Sequence, residues 1–156
     1  MSDPLDRTDR RLLDLLQRDG RTPVAELARQ VHLSPTPCLE RVRRLERDGY
    51  ITGYAAHLSP PRLGAALLAF VEVSLDRTTP DVFSQFRDAM LGIDEVQECH
   101  MVAGGFDYLL KVRVRDMEAY RRFLGERLTG LTGVQQTHTY VVMEEVKSTH
   151  RLPIPL

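Results

Sequence analysis

Residues 34–45, S-P-T-P-C-L-E-R-V-R-R-L, constrain the fold of this chain more than any other segment. Ser34 is a strong N-cap residue, and Pro35 follows at the first helical position, where a missing N–H costs no intrahelical hydrogen bond. Pro37 also falls within the first turn, whose N–H groups have no intrahelical partner. The segment therefore predicts a helix that begins after Ser34 and continues to about residue 48, with Gly49 as its stop.

At about 100° per residue, this helix has one apolar and one polar face. Cys38, Val42 and Leu45 cluster on the apolar face, and Arg41 flanks it. The opposite face is polar and mostly basic, with Arg44 turned toward it, and it consists of Thr36, Glu40, Arg43 and Arg47. Considered alone, the segment fits a solvated helix with salt bridges as well as it fits a basic helix that contacts a partner.

Two further helices precede this one. Asp6 can cap the first, with Asp9 three residues later in a capping-box arrangement, and the second begins with Thr22 as cap and Pro23 at its first position. Two short helices joined by a tight turn form a helix-turn-helix, whose second helix enters the DNA major groove with its N-terminal residues first. A three-helix fragment without a DNA role is the alternative. The polar N-terminus and basic outer face of the third helix favour DNA binding.

The overall composition limits the partners and compartments open to this protein. The formal net charge of the 156 residues is −1, so any attraction to nucleic acid must come from a local basic surface. The two cysteines, Cys38 and Cys99, occur without a signal-peptide pattern, which favours a reducing cytoplasm over a disulfide framework. No apolar run approaches the roughly 20 residues of a membrane-spanning helix. We therefore expect a cytoplasmic protein with no membrane partner.

After residue 49 the hydrophobic period changes from that of helices to that of strands. Residues 50–56 fit a strand or an extended linker, and the run Ser59-Pro60-Pro61 marks a domain boundary. The remainder contains two tandem β-α-β units that share the motif V-Q-x-x-H. Their strands are predicted at 67–75, 96–102, 108–114 and 134–146, and their helices at 80–91 and 117–128. Two such units predict a ferredoxin-like sheet with both helices on one face.

The other face of such a sheet is uncovered in a single chain. The strand at residues 67–75 carries apolar side chains in both directions, including Phe70, Val71 and Val73. An apolar sheet face without helices usually binds a partner. We therefore expect a homodimer formed by packing of two sheet faces.

Four segments of this chain resemble the Lrp/AsnC family of transcription regulators, and most closely its leucine-responsive branch. They are S-P-T-P-C-L-E-R-V-R-R-L-E-R at 34–47, V-Q-E-C-H at 96–100, G-G-F-D-Y at 104–108 and T-Y-V-V-M-E-E-V-K at 139–147. The resemblance extends from about residue 5 to residue 147. It implies an α+β fold with an N-terminal three-helix, winged-type helix-turn-helix domain, a linking strand and a C-terminal βαββαβ ferredoxin-like domain of the ACT-like, or RAM, type. We place these parts at residues 1–50, 51–62 and 63–150, followed by a C-terminal tail at 151–156.

The resemblance implies a sequence-specific, DNA-binding bacterial transcription regulator, whose DNA binding or assembly is modulated by a small amino acid such as leucine. Its partners would be double-stranded DNA with an imperfect palindromic operator, the free amino acid, and copies of itself in a dimer that assembles to an octamer or another higher form. The predicted DNA contacts lie on the first turn and polar face of the third helix, at Ser34, Thr36, Pro37, Glu40, Arg41, Arg43, Arg44 and Arg47. The alternatives are an amino-acid-sensing or amino-acid-metabolising oligomer without DNA binding, and an architectural protein that compacts DNA without effector control.

The loop at Gly104-Gly105 is the predicted effector site. Without side chains there, a small ligand can approach main-chain N–H and C=O groups closely, and Asp107 adds a negative charge for the ammonium of a free amino acid. From spacing alone a simple hairpin turn is the better explanation. The resemblance implies instead that the loop holds the ligand and that another subunit completes the pocket. The predicted effector-binding residues are the loop and its expected lining, namely Met101, Gly104, Gly105, Phe106, Asp107, Tyr108, Met117, Tyr140 and Val141.

Neither catalysis nor metal binding is expected. Cys99 and His100 are adjacent on a predicted strand, so their side chains point to opposite faces and cannot form a nucleophile–base pair. The five histidines lack metal-ligand spacing, and the chain has no C-x-x-C motif and no glycine-rich phosphate-binding motif. We therefore expect no enzyme activity, no metal and no cofactor apart from the amino-acid effector.

Overall fold

The computed structural model describes residues 5–155, which form two compact units. The N-terminal unit consists of the chain up to His57 together with the chain from Lys147 onward, and the C-terminal unit is Leu58–Val146. The division between residues 57 and 58 falls inside the predicted linker, residues 51–62. Residues 147–150, which we expected in the second domain, group with the N-terminal unit.

The N-terminal unit contains the three predicted helices, α1 (Arg7–Arg18), α2 (Val24–Gln30) and α3 (Pro35–Arg47). Their apolar sides form one buried core of Leu12, Leu16, Leu27, Ala28, Cys38, Val42 and Leu45. The predicted capping box is present, because the Asp6 carboxylate accepts from the backbone N–H of Asp9 at 2.7 Å and the Asp9 carboxylate accepts from that of Asp6 at 3.3 Å. α3 begins and ends as predicted, and Gly49 has a left-handed φ of 78°.

Two predicted caps are wrong in detail. The N-cap of α2 is Pro23 and not Thr22, whose hydroxyl donates instead to the carbonyl oxygen of Asp19 at 2.8 Å. Ser34 is the N-cap of α3, but its side chain makes no capping hydrogen bond. An N-cap side chain accepts from the N–H of the second or third helical residue, and the third residue here is Pro37, which has no N–H.

The predicted linking strand is absent between residues 50 and 58 of the described chain, and the extended-linker alternative applies. A strand requires a neighbouring strand to accept and donate its backbone hydrogen bonds, and none lies beside this segment in the single chain. The linker is held by Tyr54, whose hydroxyl donates to Glu46 at 2.9 Å. Its ring covers Gly20, where an added Cβ would come within 2.8 Å of it.

The C-terminal unit has the predicted βαββαβ order. Four antiparallel strands, β1 (Leu67–Leu75), β2 (Val96–Met101), β3 (Tyr108–Val114) and β4 (Val134–Val141), form a sheet in the order β2-β3-β1-β4. Two helices, α4 (Pro80–Leu91) and α5 (Met117–Arg122), pack on one face, and α5 continues as a π-helix at Phe123–Leu128. The predicted ferredoxin-like, α+β fold class is confirmed.

Two strands are shorter than predicted. β4 ends at Val141 and not at residue 146, and β2 ends at Met101 and not at residue 102. The length of β4 is limited by its neighbour β1, which begins at Leu67, and the last backbone hydrogen bond between them runs from Val142 N–H to the carbonyl oxygen of Leu68. The predicted helix at residues 117–128 is also not uniform, because it changes to a π-helix at Phe123.

The open face of the sheet is not as apolar as expected. On the helix-covered face, alternate residues of β1 and β3 are buried among the helix side chains. On the open face, Phe70 of β1 lies opposite Lys111 of β3, and Glu72 lies opposite Leu109. Lys111 in turn bonds Glu98 of β2 at 2.8 Å. The uncovered face is therefore a mixture of apolar side chains and paired charges.

Candidate functional site

The exposed surface of α3 is the first candidate site. Cys38, Val42 and Leu45 are buried in the core, as their helical spacing predicts. The residues that face solvent are polar and include both the start of the helix and two of its arginines, namely Ser34, Thr36, Glu40, Arg43 and Arg47, with Pro37 half-buried. Arg47 lies 3.6 Å from the adjacent Asp48 carboxylate in an exposed pair. This surface presents hydroxyls first and guanidinium groups roughly two to three and a half turns later.

The other two arginines of α3 are bound to acidic residues of α1. Arg41 donates to Asp6 at 2.5 Å and to Asp9 at 2.8 Å, and Arg44 donates to the second oxygen of Asp9 at 2.5 Å. The Asp9 side chain is only 1% exposed, whereas the two arginine side chains are about one-third exposed. The N-terminal capping box of α1 is therefore also the anchor that binds α3.

This acidic anchor explains the electrostatics of the helix pair. Hydrogen bonds to Asp6 and Asp9 raise the pKa of the Arg41 guanidinium. Partial burial would raise the pKa of Asp6, but hydrogen bonds from the Asp9 N–H and from Arg41 outweigh it, so the pKa is lowered. Charge-assisted bonds of this kind are directional and fix the orientation of α3 on α1. Sequence analysis missed the anchor, although the spacing Asp6-x-x-Asp9 and Arg41-x-x-Arg44 could have indicated it.

The loop between β2 and β3 is the second candidate site. Gly104 and Gly105 are exposed, and a Cβ added at either would meet nothing within 4 Å. Neither has a left-handed φ. Packing and backbone conformation within this chain thus do not require glycine at either position. What the two glycines provide is an unobstructed backbone that a molecule from outside can approach.

Asp107 is fixed at the end of this loop. Its carboxylate accepts a hydrogen bond from the backbone N–H of Leu75 at 2.7 Å, its own N–H donates to the Val73 carbonyl oxygen at 3.0 Å, and its carbonyl oxygen accepts from Val102 at 2.9 Å. The half-buried carboxylate is consequently held in one orientation beside the glycines. One of its functions is structural, because it caps the last residue of β1.

The neighbouring aromatic residues differ in accessibility. The ring of Tyr108 packs on Phe86 with centroids 4.5 Å apart in the core, and burial raises the pKa of its hydroxyl. Only the backbone of Tyr108 is therefore accessible from the loop, and its side chain is not. Phe106 is half-buried.

The predicted lining residues do not meet in a single chain. Met101 lies on the edge strand β2 and Tyr140 on the opposite edge strand β4, which are three strand spacings, or about 14 Å, apart. Met117 follows the end of β3, whereas the glycine loop precedes its start, and seven strand residues span roughly 20 Å. Val141 is also exposed, opposite Ala69 near the start of β1. One chain thus holds Met101 and residues 104–108 at one end of the sheet and the other three residues away from it.

Other site types find no support in residues 5–155. No group of three or more His, Cys, Asp or Glu side chains there could hold a metal ion. No helix of that part of the chain is long and apolar enough to cross a membrane.

The two units together define a class of protein, in which a helix-turn-helix domain that binds DNA is joined to a domain that binds a ligand. Residues 5–52 match the winged helix-turn-helix DNA-binding model, and residues 68–152 match the Lrp/AsnC ligand binding domain. The chain belongs to the Lrp/AsnC family of transcription regulators. The family and the function predicted from the resemblance are confirmed.

Named relatives support this membership across nearly the whole chain. The leucine-responsive regulatory proteins of Klebsiella pneumoniae and Escherichia coli K12 are each 61% identical over 150 residues, which cover 96% of this chain and 92% of those proteins. Among solved structures, an L-methionine complex of a transcriptional regulator from Neisseria meningitidis has a TM-score of 0.93 at 39% identity and covers 96% of this chain and 97% of its own. A feast or famine regulatory protein from M. tuberculosis, also complexed with L-methionine, has a TM-score of 0.85 at 34% identity and covers 97% of this chain and all of its own.

Proposed function

We propose that this regulator responds to leucine, or to a similar apolar amino acid such as methionine, and that the exposed face of α3 is its DNA-contacting surface. The observation that carries the DNA assignment is the division of the α3 arginines into two anchored and two outward-facing residues. Ser34, Thr36 and Pro37 would approach base edges in the major groove, because the N-terminal end of a recognition helix enters first. Arg43 and Arg47 would bind phosphates, with Glu40 one turn before Arg43 at the groove edge.

Arg41 and Arg44 have a different role in this proposal. Because both are bound to Asp9, they would orient α3 on α1 rather than supply the main phosphate contacts. A guanidinium held by a buried carboxylate has part of its charge neutralised and its orientation fixed, so it attracts a phosphate less than a solvent-exposed guanidinium does. The positive charge that neutralises DNA phosphates would therefore come mainly from the exposed arginines.

For the effector we propose the loop of Gly104 and Gly105, with Asp107 as the partner of the ammonium group. The support is an exposed backbone that this chain does not itself cover, next to an oriented carboxylate. The ammonium contact would be a charge-assisted hydrogen bond. Met117, Tyr140 and Val141 lie elsewhere in the same chain, so they would reach this ligand only from a second copy.

Self-association is part of the same proposal. The segment that ends β4 and follows it carries a series of exposed apolar side chains, Tyr140, Val141, Met143 and Val146. The open sheet face adds Phe70 and Leu109. We propose that these surfaces pack against other copies to form a dimer and then an octamer or another higher assembly. Two helix-turn-helix units of a symmetric dimer would bind the half-sites of an imperfect palindrome.

Effector control would follow from the position of the ligand between copies. A ligand that contacts two subunits changes the free energy of their association, and the association sets the spacing of the DNA-binding units. The coupling must be reciprocal, so operator DNA would change the leucine affinity by the same factor as leucine changes the DNA affinity. The protein would act in the bacterial cytoplasm, where the DNA is, and would catalyse no reaction.

A titration of the full-length protein tests this function. We expect binding of a palindromic operator fragment with a steep salt dependence, weaker binding of a single half-site, and a shift in affinity and assembly size when leucine is added. Sedimentation and fluorescence anisotropy measure these quantities. If none of the twenty amino acids changes the DNA affinity or the assembly size, an architectural protein that compacts DNA would be favoured. Amino-acid binding without DNA binding would favour a sensing oligomer.

A further inference from the structure

The N-terminal unit also contains a basic cleft, which is lined by none of the residues of the two candidate sites. It has a volume of about 450 Å³ and opens between the start of α1 and the end of α2. Its lining combines two guanidinium groups, an imidazole, a hydroxyl and an amide, from Arg7, Arg11, His32, Thr8 and Gln30, with Val31 completing the wall. No lining residue is acidic. A concave surface of this composition suits an oxyanion with several acceptor oxygens.

Two carboxylates that bond cleft residues, Asp14 and Glu26, are also engaged by arginines outside the cleft. Asp14 is 3.4 Å from Arg11 but 2.9 Å from Arg18, which lies further along α1 and outside the cleft. Glu26 is bound by Arg29 at 2.6 Å and accepts from the side-chain amide of Gln30 at 2.8 Å. The acidic charge around the cleft is thus shared with arginines beyond it, and Arg7 and Arg11 leave the cleft positive.

His32 occupies a backbone position that normally favours glycine. Its φ is 56°, the one left-handed φ of a non-glycine residue in the described part of the chain. The N–H of Leu33 donates to the Ala28 carbonyl oxygen at 2.9 Å and that of His32 to Arg29 at 3.4 Å, which is the Schellman arrangement that ends α2. A β-carbon in this conformation is unfavourable, and glycine would avoid that strain. An imidazole there gives the cleft a hydrogen-bonding side chain, which glycine would not provide.

The cleft adjoins the end of α3 that faces DNA. His32 is two residues before Ser34, the N-cap of α3, so their Cα atoms are separated by at most about 7.6 Å of chain. The N-terminal end of a recognition helix lies in the major groove, whose edges are the two phosphate backbones. A backbone phosphate that borders the groove is consequently within reach of the cleft.

We infer that this cleft binds a backbone phosphate of the operator, with Arg7 and Arg11 as the charged ligands and His32 as a hydrogen-bond donor. The inference rests on the proposed contact of α3 with DNA and adds a second point of attachment. Two contacts on either side of the helix start would fix the angle at which α3 enters the groove. Phosphate contacts of this kind set register and orientation rather than sequence preference.

Substitution of the arginines tests the charge contribution. Arg7→Gln and Arg11→Gln should each weaken operator binding about fivefold to tenfold at 0.1 M salt and reduce the slope of log affinity against log salt by roughly 0.9. Arg21→Gln is the matched control, because Arg21 is an exposed arginine of the same unit outside the cleft, and it should leave both quantities unchanged. Salt slopes that stay at the wild-type value in both cleft variants would overturn the inference.

His32→Gly separates a ligand role from a structural one. Glycine suits the left-handed φ, so the midpoint of urea unfolding should stay the same or rise. Operator affinity should nevertheless fall about threefold to tenfold, as expected for the loss of one solvent-exposed hydrogen bond of ordinary strength. Unchanged operator affinity in this variant would contradict the inference. It is the result expected if His32 serves only to end α2, because glycine ends the helix equally well.

Two further measurements are needed. The first distinguishes a DNA phosphate from free phosphate as the ligand of the cleft, and the second distinguishes failure of the cleft proposal from failure of the α3 proposal. Inorganic phosphate should compete weakly with DNA in the wild type, and saturation of the cleft by phosphate without any effect on operator binding would overturn the DNA assignment. Arg43→Gln and Arg47→Gln report on α3 alone. If they leave the salt slope unchanged while the cleft variants reduce it, the proposed α3 contact fails and the cleft remains a DNA-binding site.

Discussion

The proposed DNA-contacting face of α3 and the proposed effector loop of the C-terminal unit are built in opposite ways. The residues of the first lie on a single helix, and a buried carboxylate in the same unit, Asp9, holds that helix in place. The residues of the second are spread over both ends and both edges of a sheet, and its two glycines lie exposed in the loop between β2 and β3. The first proposed site has all its residues on one element of a single chain, whereas the second has its proposed residues apart from one another.

The difference follows from the geometry of the two elements. Helical residues three and four apart face the same way within about 6 Å, so a contact surface can be formed by one short segment. Successive strand residues alternate faces and advance about 3.3 Å each, so residues near in sequence diverge. A ligand site on such a sheet needs contributions from distant segments or from a second copy. The apolar and exposed residues Met143 and Val146 agree with the second possibility.

The largest expected effect concerns the buried anchor. Asp9→Asn keeps an acceptor for the capping box but removes the charge that binds Arg41 and Arg44. Breaking a buried ion pair costs about 3–5 kcal/mol, and because the arginines are one-third exposed we expect about 2–3 kcal/mol. Urea unfolding measures this loss. The control is Asp48→Asn, whose pair with exposed Arg47 should contribute less than about 0.5 kcal/mol. Equal losses in the two variants would mean that the anchor does not stabilise the helix pair.

The next largest effect is expected from the Asp107 carboxylate in the proposed effector loop. Asp107→Asn retains an acceptor for the Leu75 N–H and removes the negative charge, so the fold should be preserved. Leucine affinity should fall about 10- to 100-fold, since a hydrogen bond to a charged group contributes about 1.5–3 kcal/mol. Calorimetric titration with and without operator DNA gives the affinity and the reciprocal coupling. Asp94→Asn, an exposed acid of the same unit, is the control. The same leucine affinity in wild type and Asp107→Asn would place the ammonium contact elsewhere.

A smaller effect separates the two kinds of arginine on α3. Arg43→Gln and Arg47→Gln should each lower the salt slope of operator binding by roughly 0.9 and leave the free energy of unfolding within about 0.5 kcal/mol of wild type. Arg44→Gln should show the reverse, with lower stability and a smaller change in slope. Anisotropy titrations and urea unfolding on the same samples provide both numbers. A stability loss in the first pair, or none in Arg44→Gln, would reverse the assignment.

The smallest expected effect concerns the C-terminal tail. The Gln17 side-chain amide donates to the Leu152 carbonyl oxygen at 3.0 Å and accepts from the Leu152 N–H at 2.8 Å, which ties the tail to α1. Gln17→Ala removes these two exposed hydrogen bonds and a longer one to Asp14 at 3.4 Å, and it should lower the stability of the N-terminal unit by about 1 kcal/mol at most. Unfolding followed by hydrogen exchange should show faster opening of α1 and no change in β1. Protection lost in both units would indicate a wider role for the tail.

Much of the fold could be predicted from local patterns. The ends of α1 and α3 followed from the capping box at Asp6 and from Gly49, because caps act within four residues. The failures have specific causes. The hydroxyl of Thr22 binds the Asp19 carbonyl oxygen and α2 begins one residue later than expected. The hydroxyl of Ser34 has only the Thr36 N–H as a possible capping donor, because Pro37 has no N–H. The end of β4 depended on where β1 begins, which no local pattern contains.

By itself the sequence determined the order of elements, the helix faces, the family and the identity of the residues available to each site, because these depend on spacing along the chain and on residue chemistry. Only the tertiary structure decided which charges are held by a buried carboxylate. The sequence alone does not distinguish the four arginines of α3. The packing of α1 buries Asp9 against Arg41 and Arg44 and leaves Arg43 and Arg47 exposed to solvent. The folded chain likewise brings Arg7, Arg11 and His32 to one cleft from two helices, a juxtaposition that burial and helix packing create and that no periodicity encodes.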